Sequence, residues 1–138
     1  MLITEIRIKK NGKWYANDAE MFRKPILNLF ANNLLRDDLG QYKIHLNQKT
    51  FPVVVEDVPF FAMYARLHDD KIIFVLHDEQ ELVIDKTVPL LLKDSVPYVS
   101  MRWEFDTRLS RSAFWMINEY LVEDGNVLLL VPPIKTKG

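Results

Sequence analysis

VVVEDVPFF, residues 53–61, places two adjacent carboxylates inside a run that otherwise reads as buried apolar strand. In an extended chain Val53, Val55 and Asp57 fall on one face and Val54, Glu56 and Val58 on the other, so one acid follows apolar residues on either face. An unpaired buried carboxylate is costly, so Glu56 or Asp57, if inward, requires an arginine, backbone amides or a ligand cation. Arg102 is the leading partner by residue type, with Arg108 and Arg111 as alternatives. Val58 and Pro59 then read as the turn from one sheet into the next, which divides the chain into an N-terminal α+β domain, 1–58, and a β-rich domain with one helix, 59–138.

Upstream of that stretch, strands are expected over 3–8 and 13–16, joined at Asn11 and Gly12. Pro25 suits the first turn of a helix, and Ile26, Leu27, Phe30 and Leu34 recur at helical spacing, which predicts a helix to about residue 36. After a turn at Gly40, Tyr42, Ile44 and Leu46 alternate with Gln41, Lys43 and His45 in a half-buried strand, and 51–57 form the next. Downstream, β-type runs at 60–67, 71–76, 81–85, 88–92 and 97–105 are separated by acidic turns and predict a meander. In the last run Val99, Met101, Trp103 and Phe105 would line one face, and Ser100, Arg102 and Glu104 the other. A second helix is predicted from Ser110 to about Val122, with Ala113, Phe114, Ile117 and Leu121 as its apolar stripe, and GNVLLLVPP closes as a strand.

The fold class that emerges is α+β: two small halves, each a helix with an antiparallel sheet, and a β-meander between the helices. PILNLFANNLLRDDLGQYKIHL and SAFWMINEYLVEDGNVLLL both run helix, acidic glycine turn, strand, a weak internal repeat that aligns Phe30 with Ile117 and Gly40 with Gly125.

The 138 residues are 49% hydrophobic, enough for one domain or two small co-folded ones burying roughly 65–70% of the unfolded surface. The absence of cysteine removes disulfides, thiolate metal sites and cysteine nucleophiles, and fits a reducing compartment. No stretch approaches the ~20 apolar residues of a membrane span and the first residues lack an uninterrupted apolar leader, so a soluble cytoplasmic protein without membrane association is expected. A net charge of −1 with interspersed signs lacks the basic footprint of nucleic-acid binding. Lys9, Lys10 and Lys13 read as edge protection at a hairpin tip. With three of the four glycines in separate turns and the fourth at the C-terminus, no phosphate-cradling loop can be built. His45, His68 and His77 have no partner at a metal-ligand spacing, and no serine sits in a nucleophile elbow.

The chain resembles the bacterial DUF1285 family in NGKWY at 11–15, ILNLFANNLLRDDLGQY at 26–42, VVVEDVPFF at 53–61, PYVSMR at 97–102 and SRSAFW at 110–115. The resemblance implies a two-domain α+β protein with repeated helix-plus-sheet motifs and a role in signalling or ligand binding, and it supplies no catalytic residues. The chain departs from the family pattern in HLNQKTF at 45–51, where a threonine-proline turn is usual, and at Asn17-Asp18, where glycine is usual.

Two functions follow as expectations. The first is a non-catalytic regulatory module that binds a small molecule in a cleft between its halves, with Glu56, Asp57, Phe60, Tyr98, Arg102 and Trp115 as ligand-binding residues. Trp115 enters because it adjoins Phe114, and neighbours ~100° apart on a helix cannot both face one narrow core stripe. The second is an interaction module whose sheet edge or aromatic face docks a partner or forms a homodimer, the acids being structural. No cofactor, metal or catalytic residue is expected in either.

Overall fold

A computed structural model describes residues 3–133. The chain divides into two compact units, Met1–Pro59 with His77–Glu79, and Phe60–Leu76 with Gln80–Gly138. Among the described residues, no helix is long and apolar enough to cross a membrane.

The first unit contains β1 (Ile6–Ile8), β2 (Trp14–Ala16), β3 (Ala19–Met21), α1 (Lys24–Asn32), β4 (Leu34–Arg36), β5 (Tyr42–Leu46) and β6 (Lys49–Val55). Its sheet has the order β3-β2-β1-β6-β5-β4, antiparallel except where β1 runs parallel to β6. The second unit contains β7 (Phe60–His68), β8 (Lys71–Leu76), β9 (Glu81–Ile84), β10 (Val88–Lys93), β11 (Val96–Val99), β12 (Thr107–Leu109), α2 (Arg111–Ile117), a 3-10 turn (Asn118–Tyr120), β13 (Leu121–Asp124) and β14 (Val127–Leu130). Its eight-stranded sheet has the order β13-β14-β10-β11-β12-β7-β8-β9, with β7 parallel to β12.

Six strands of each unit therefore follow one plan. A three-stranded meander (β1–β3, β7–β9) is followed by a second (β4–β6, β10–β12) whose last strand lies parallel to the first strand of the unit. The registers match closely: the N–H of Glu56, just past β6, bonds to the Ile8 carbonyl, and the N–H of Ser110, just past β12, bonds to the Ala62 carbonyl. This equivalence pairs β4–β6 with β10–β12, whereas the sequence alignment pairs helix with helix. In the first unit the helix stands between the two meanders; in the second it follows both.

Turn chemistry explains the hairpins. Asn17-Asp18, Asn47-Gln48, Asp69-Asp70 and Asp94-Ser95 each have positive φ at both positions, the mark of two-residue type I′ turns whose twist matches the flanking strands. None contains glycine. Asn17 Oδ1 also accepts the N–H groups of Thr4 and Glu5, which ties the second turn to the residues leading into the first strand. Strand β3, beyond that turn, was not anticipated, because Asn-Asp without glycine gives a weak hairpin signal.

Two predicted helices are shorter than expected. The N–H of Asn33 bonds to the Phe30 carbonyl and its side chain to the Leu29 carbonyl, closing α1 so that Leu34–Arg36 pair with β5 instead of extending the helix to 36. Ala113 and Ile117 bury the inner face of α2, but residues beyond the 3-10 turn pair with β14, so 121–122 are strand. The strand expected over 97–105 stops at Val99. Asp106 replaces its ladder: Oδ1 accepts the Met101 N–H at 2.8 Å, and Oδ2 accepts those of Arg102 and Trp103 at 2.9 and 2.8 Å. Phe105 adopts positive φ within that loop, so 100–106 have no alternating faces.

In the first unit Ile6, Ile8, Trp14, Leu34 and Ile44 are completely buried, and Leu27, Phe30 and Ala31 of α1 join them in the core. In the second, Ala62, Ile72, Phe74, Leu76, Ile84, Leu90, Val99, Leu109 and Leu130 of the sheet meet Ala113 and Ile117 of α2. Each large side chain so buried contributes on the order of 1.5–3 kcal/mol.

Candidate functional site

A hollow of about 350 Å³ opens in the second unit along α2, lined by Ser95, Val96, Pro97, Arg108, Leu109, Arg111, Phe114, Trp115 and Asn118. The tight Asp94-Ser95 turn brings Val96 and Pro97 to one side, and β12 supplies Arg108 and Leu109. Ser110 then starts the helix: its Oγ accepts the Ala113 N–H at 3.0 Å and donates to the Met63 carbonyl at 2.6 Å. With the helix pinned there and Ala113 and Ile117 turned to the core, Arg111, Trp115 and Asn118, spaced i, i+4, i+7, fall on the opposite face. Two guanidinium groups and no carboxylate are among the lining residues. Trp115 is 70% exposed, unusual for so large an apolar side chain.

Of the six ligand-binding residues expected from the sequence, Trp115 alone lines this hollow. Glu56 and Asp57 are exposed and lie in a bend after β6, which ends at Val55. The expectation of a carboxylate inside a buried strand is thus corrected: the strand stops before the acids begin. Glu56 Oε1 accepts the Lys10 N–H at 3.1 Å and so ties the β1–β2 loop to the end of β6. Phe60 and Tyr98, at 1% and 6% exposure, are core residues and present no open wall. Arg102 stacks over Trp103 at 4.5 Å and lies 5.8 Å from the Phe60 ring, which is itself parallel to Trp103. Burial lowers the Arg102 pKa below its ordinary value, partly offset by the Asp106 carboxylate. Phe60 and Arg102 therefore come together around Trp103 as supports of the 100–106 loop.

Sequence reasoning weighed Arg108 and Arg111 only as partners for the acids. The spacing Arg111, Trp115, Asn118 on a helix was the signal that could have assembled this face; nothing local marks Ser95 or Pro97 as part of it.

A second hollow, of about 610 Å³, lies in the first unit and is lined by Arg36, Gly40, Gln41, Tyr42, Pro52, Val53, Val55 and Asp57. The Arg36 guanidinium sits 5.9 Å from the Tyr42 ring centre, and Gly40 beside it adopts φ +81°, a conformation that strains any residue with a side chain. The first unit also holds His77, 6% exposed and stacked on the fully buried Trp14 ring at 5.3 Å. Lys24 Nζ donates to the His77 carbonyl at 2.6 Å and Asn28 to the Asp78 carboxylate at 3.3 Å, fixing the 77–79 loop. Burial pushes the His77 pKa down to about 4, opposed by Asp78 and reinforced by Lys24. In the sequence His77 stood out only as a histidine without a partner at metal-ligand spacing.

No protein-family model matches the chain, and no curated protein matches it. Solved structures do. A DUF1285 family protein from Silicibacter pomeroyi DSS-3 superposes with a TM-score of 0.72 at 17% identity, covering 91% of this chain and 74% of that one. A DUF1285 family protein from Shewanella baltica OS155 gives a TM-score of 0.67 at 18% identity, covering 83% of this chain and 91% of that one.

Proposed function

For a chain with the fold of DUF1285 family proteins, we propose the function of a non-catalytic, small-molecule-binding regulatory module whose ligand sits in the hollow beside α2. The observation that carries this reading is the exposed Trp115 on one wall with Arg108 and Arg111 in a concavity of about 350 Å³, at the small end of the range for ligand pockets. The flat apolar ring supplies contact area, and the guanidinium groups supply orientation. A regulatory role fits a site that offers binding groups without a nucleophile set beside a base. The test is a thermal-shift series against metabolites with the wild-type protein and Trp115→Ala. A ligand at about 100 times its dissociation constant raises stability by about 2.7 kcal/mol, and that shift is expected to vanish in the variant. Absence of any stabilising compound across a broad set would refute the reading.

A second reading, docking of a protein partner or a second copy, is favoured by one feature. Strand β3 ends its sheet, and Phe22, 74% exposed, follows it beside a small notch lined by Glu20, Met21, Phe22, Arg23 and Ile26. Light scattering that shows a dimer in the wild type and a monomer in Phe22→Asp would support it; an unchanged mass would count against it.

A further inference from the structure

Resting on the ligand-binding reading above, we infer that the hollow beside α2 takes a small aromatic oxyanion: one or two fused rings lying on Trp115, with a carboxylate or phosphate held by Arg111 and Arg108. Three observations converge on this class. Arg111 is exposed at a wall whose lining residues include no carboxylate, so the hollow offers a guanidinium to an anion in a chain whose net charge is −1. Guanidinium forks match the planar oxygens of carboxylate and phosphate and favour them over neutral polar groups. Arg111 and Trp115 stand one helical turn apart on the same face of α2, so a flat ring stacked on the indole directs a substituent toward the guanidinium.

The apolar remainder of the wall, Val96, Pro97, Leu109 and Phe114, suits the ring body and leaves Asn118 and Ser95 to meet polar substituents on its edge. The volume limits the ligand to about one nucleobase-sized ring system with its acid, because drug-sized ligands occupy pockets several-fold larger at the upper end of the range. The position of the hollow also argues for anion specificity. It occupies the place in the second unit that the Arg36–Asp57 hollow occupies in the first. Leu109 and Val55 both end the parallel strand, Arg111 and Asp57 both lie two residues past it, and Pro97, inside the middle strand, takes the register position of Gly40 in the turn before its strand. On one backbone plan, the second unit carries a guanidinium where the first carries a carboxylate.

The experiment titrates the full chain, followed by tryptophan emission and calorimetry, with indole-3-acetate, phenyl phosphate, indole-3-acetamide and inorganic phosphate. Trp14 is buried and Trp103 half-buried, so quenching that disappears in Trp115→Phe reports the exposed indole. Arg111→Gln and Trp115→Phe alter exposed side chains, and their melting curves establish that folding is intact. The expected result is binding of indole-3-acetate or phenyl phosphate, the better of the two identifying the acid group. Neutral indole-3-acetamide and ring-free phosphate should bind at least about tenfold more weakly, and Arg111→Gln should lose about tenfold in affinity for the acid. Equal binding of the acid and its amide, or unchanged affinity in Arg111→Gln, overturns the oxyanion assignment. Stabilisation by unrelated compounds, lost in Trp115→Ala, with no response to the aromatic acids also overturns it while leaving the ligand-binding reading intact. No stabilisation by any compound removes both.

Discussion

The two parallel strand pairs, β1 with β6 and β7 with β12, share a register but are finished differently. Past β6 the chain supplies Glu56, whose carboxylate secures the Lys10 amide of the neighbouring loop; past β12 it supplies Ser110, whose hydroxyl caps a helix. The preceding hairpins diverge as well: β5 and β6 are joined by the two residues Asn47 and Gln48, whereas β11 and β12 are joined by a loop over 100–106 organised around Asp106. The hollows at matching positions carry different charge, Arg36 with Asp57 in one and Arg108 with Arg111 in the other. The concavities thus stand at matching places on a shared backbone plan, and the second residue past the last strand, Asp57 or Arg111, sets the charge there.

The sharpest test of that parallel is in the cores. Trp14 and Phe74 are each fully buried, and replacing either by alanine should cost about 3–5 kcal/mol. Chemical denaturation followed by hydrogen exchange would show whether each loss is felt mainly in its own unit, as the comparison requires, or equally throughout. Next in size is the contrast between the two hairpins. Asp106→Ala strips acceptors from three backbone N–H groups and should lower stability by about 3–4 kcal/mol, read from the urea midpoint. The first unit has a two-residue turn there, so Asn47→Gly, which keeps positive φ without strain, should change stability by less than about 1 kcal/mol.

Acid should separate the units. His77 is neutral in the folded first unit with a pKa of about 4 against 6.5 when exposed, so below pH 6.5 the unfolded chain binds the proton more readily. Stability is fully present above pH 6.5, falls as pH drops toward 4, and levels off below it. The total loss is on the order of 3 kcal/mol, and His77→Phe, which keeps a ring on Trp14, should flatten this part of the profile. Equal slopes in the two proteins would show that groups other than His77 dominate. The smallest pair compares the two strand ends directly. Ser110→Ala should cost about 1 kcal/mol through loss of the cap. Glu56→Ala, at an exposed position with one backbone bond, should stay within about 0.5 kcal/mol in the same thermal melts.

Much of the strand content was legible because period-two alternation and turn residues are local signals: Tyr42, Ile44 and Leu46, the 71–76 run, and the closing VLLL all stand where the pattern placed them. The site was less legible. Trp115 declared itself through its clash with a single apolar stripe, but Glu56, Asp57, Phe60 and Tyr98 were chosen for unusual residue type, which says nothing about whether a side chain faces core or solvent.

By itself the sequence determined the α+β class, the two helices and most strands, since alternation, proline and acidic turns act within a few residues of one another. Only tertiary structure decided that β1 and β7 find parallel partners over 40 positions downstream, that Asp106 folds the preceding residues around itself, and that His77 is buried against Trp14. Each of these depends on groups far apart in the chain, or on a side chain outcompeting a ladder, and such competition is settled by which backbone donors lose access to water.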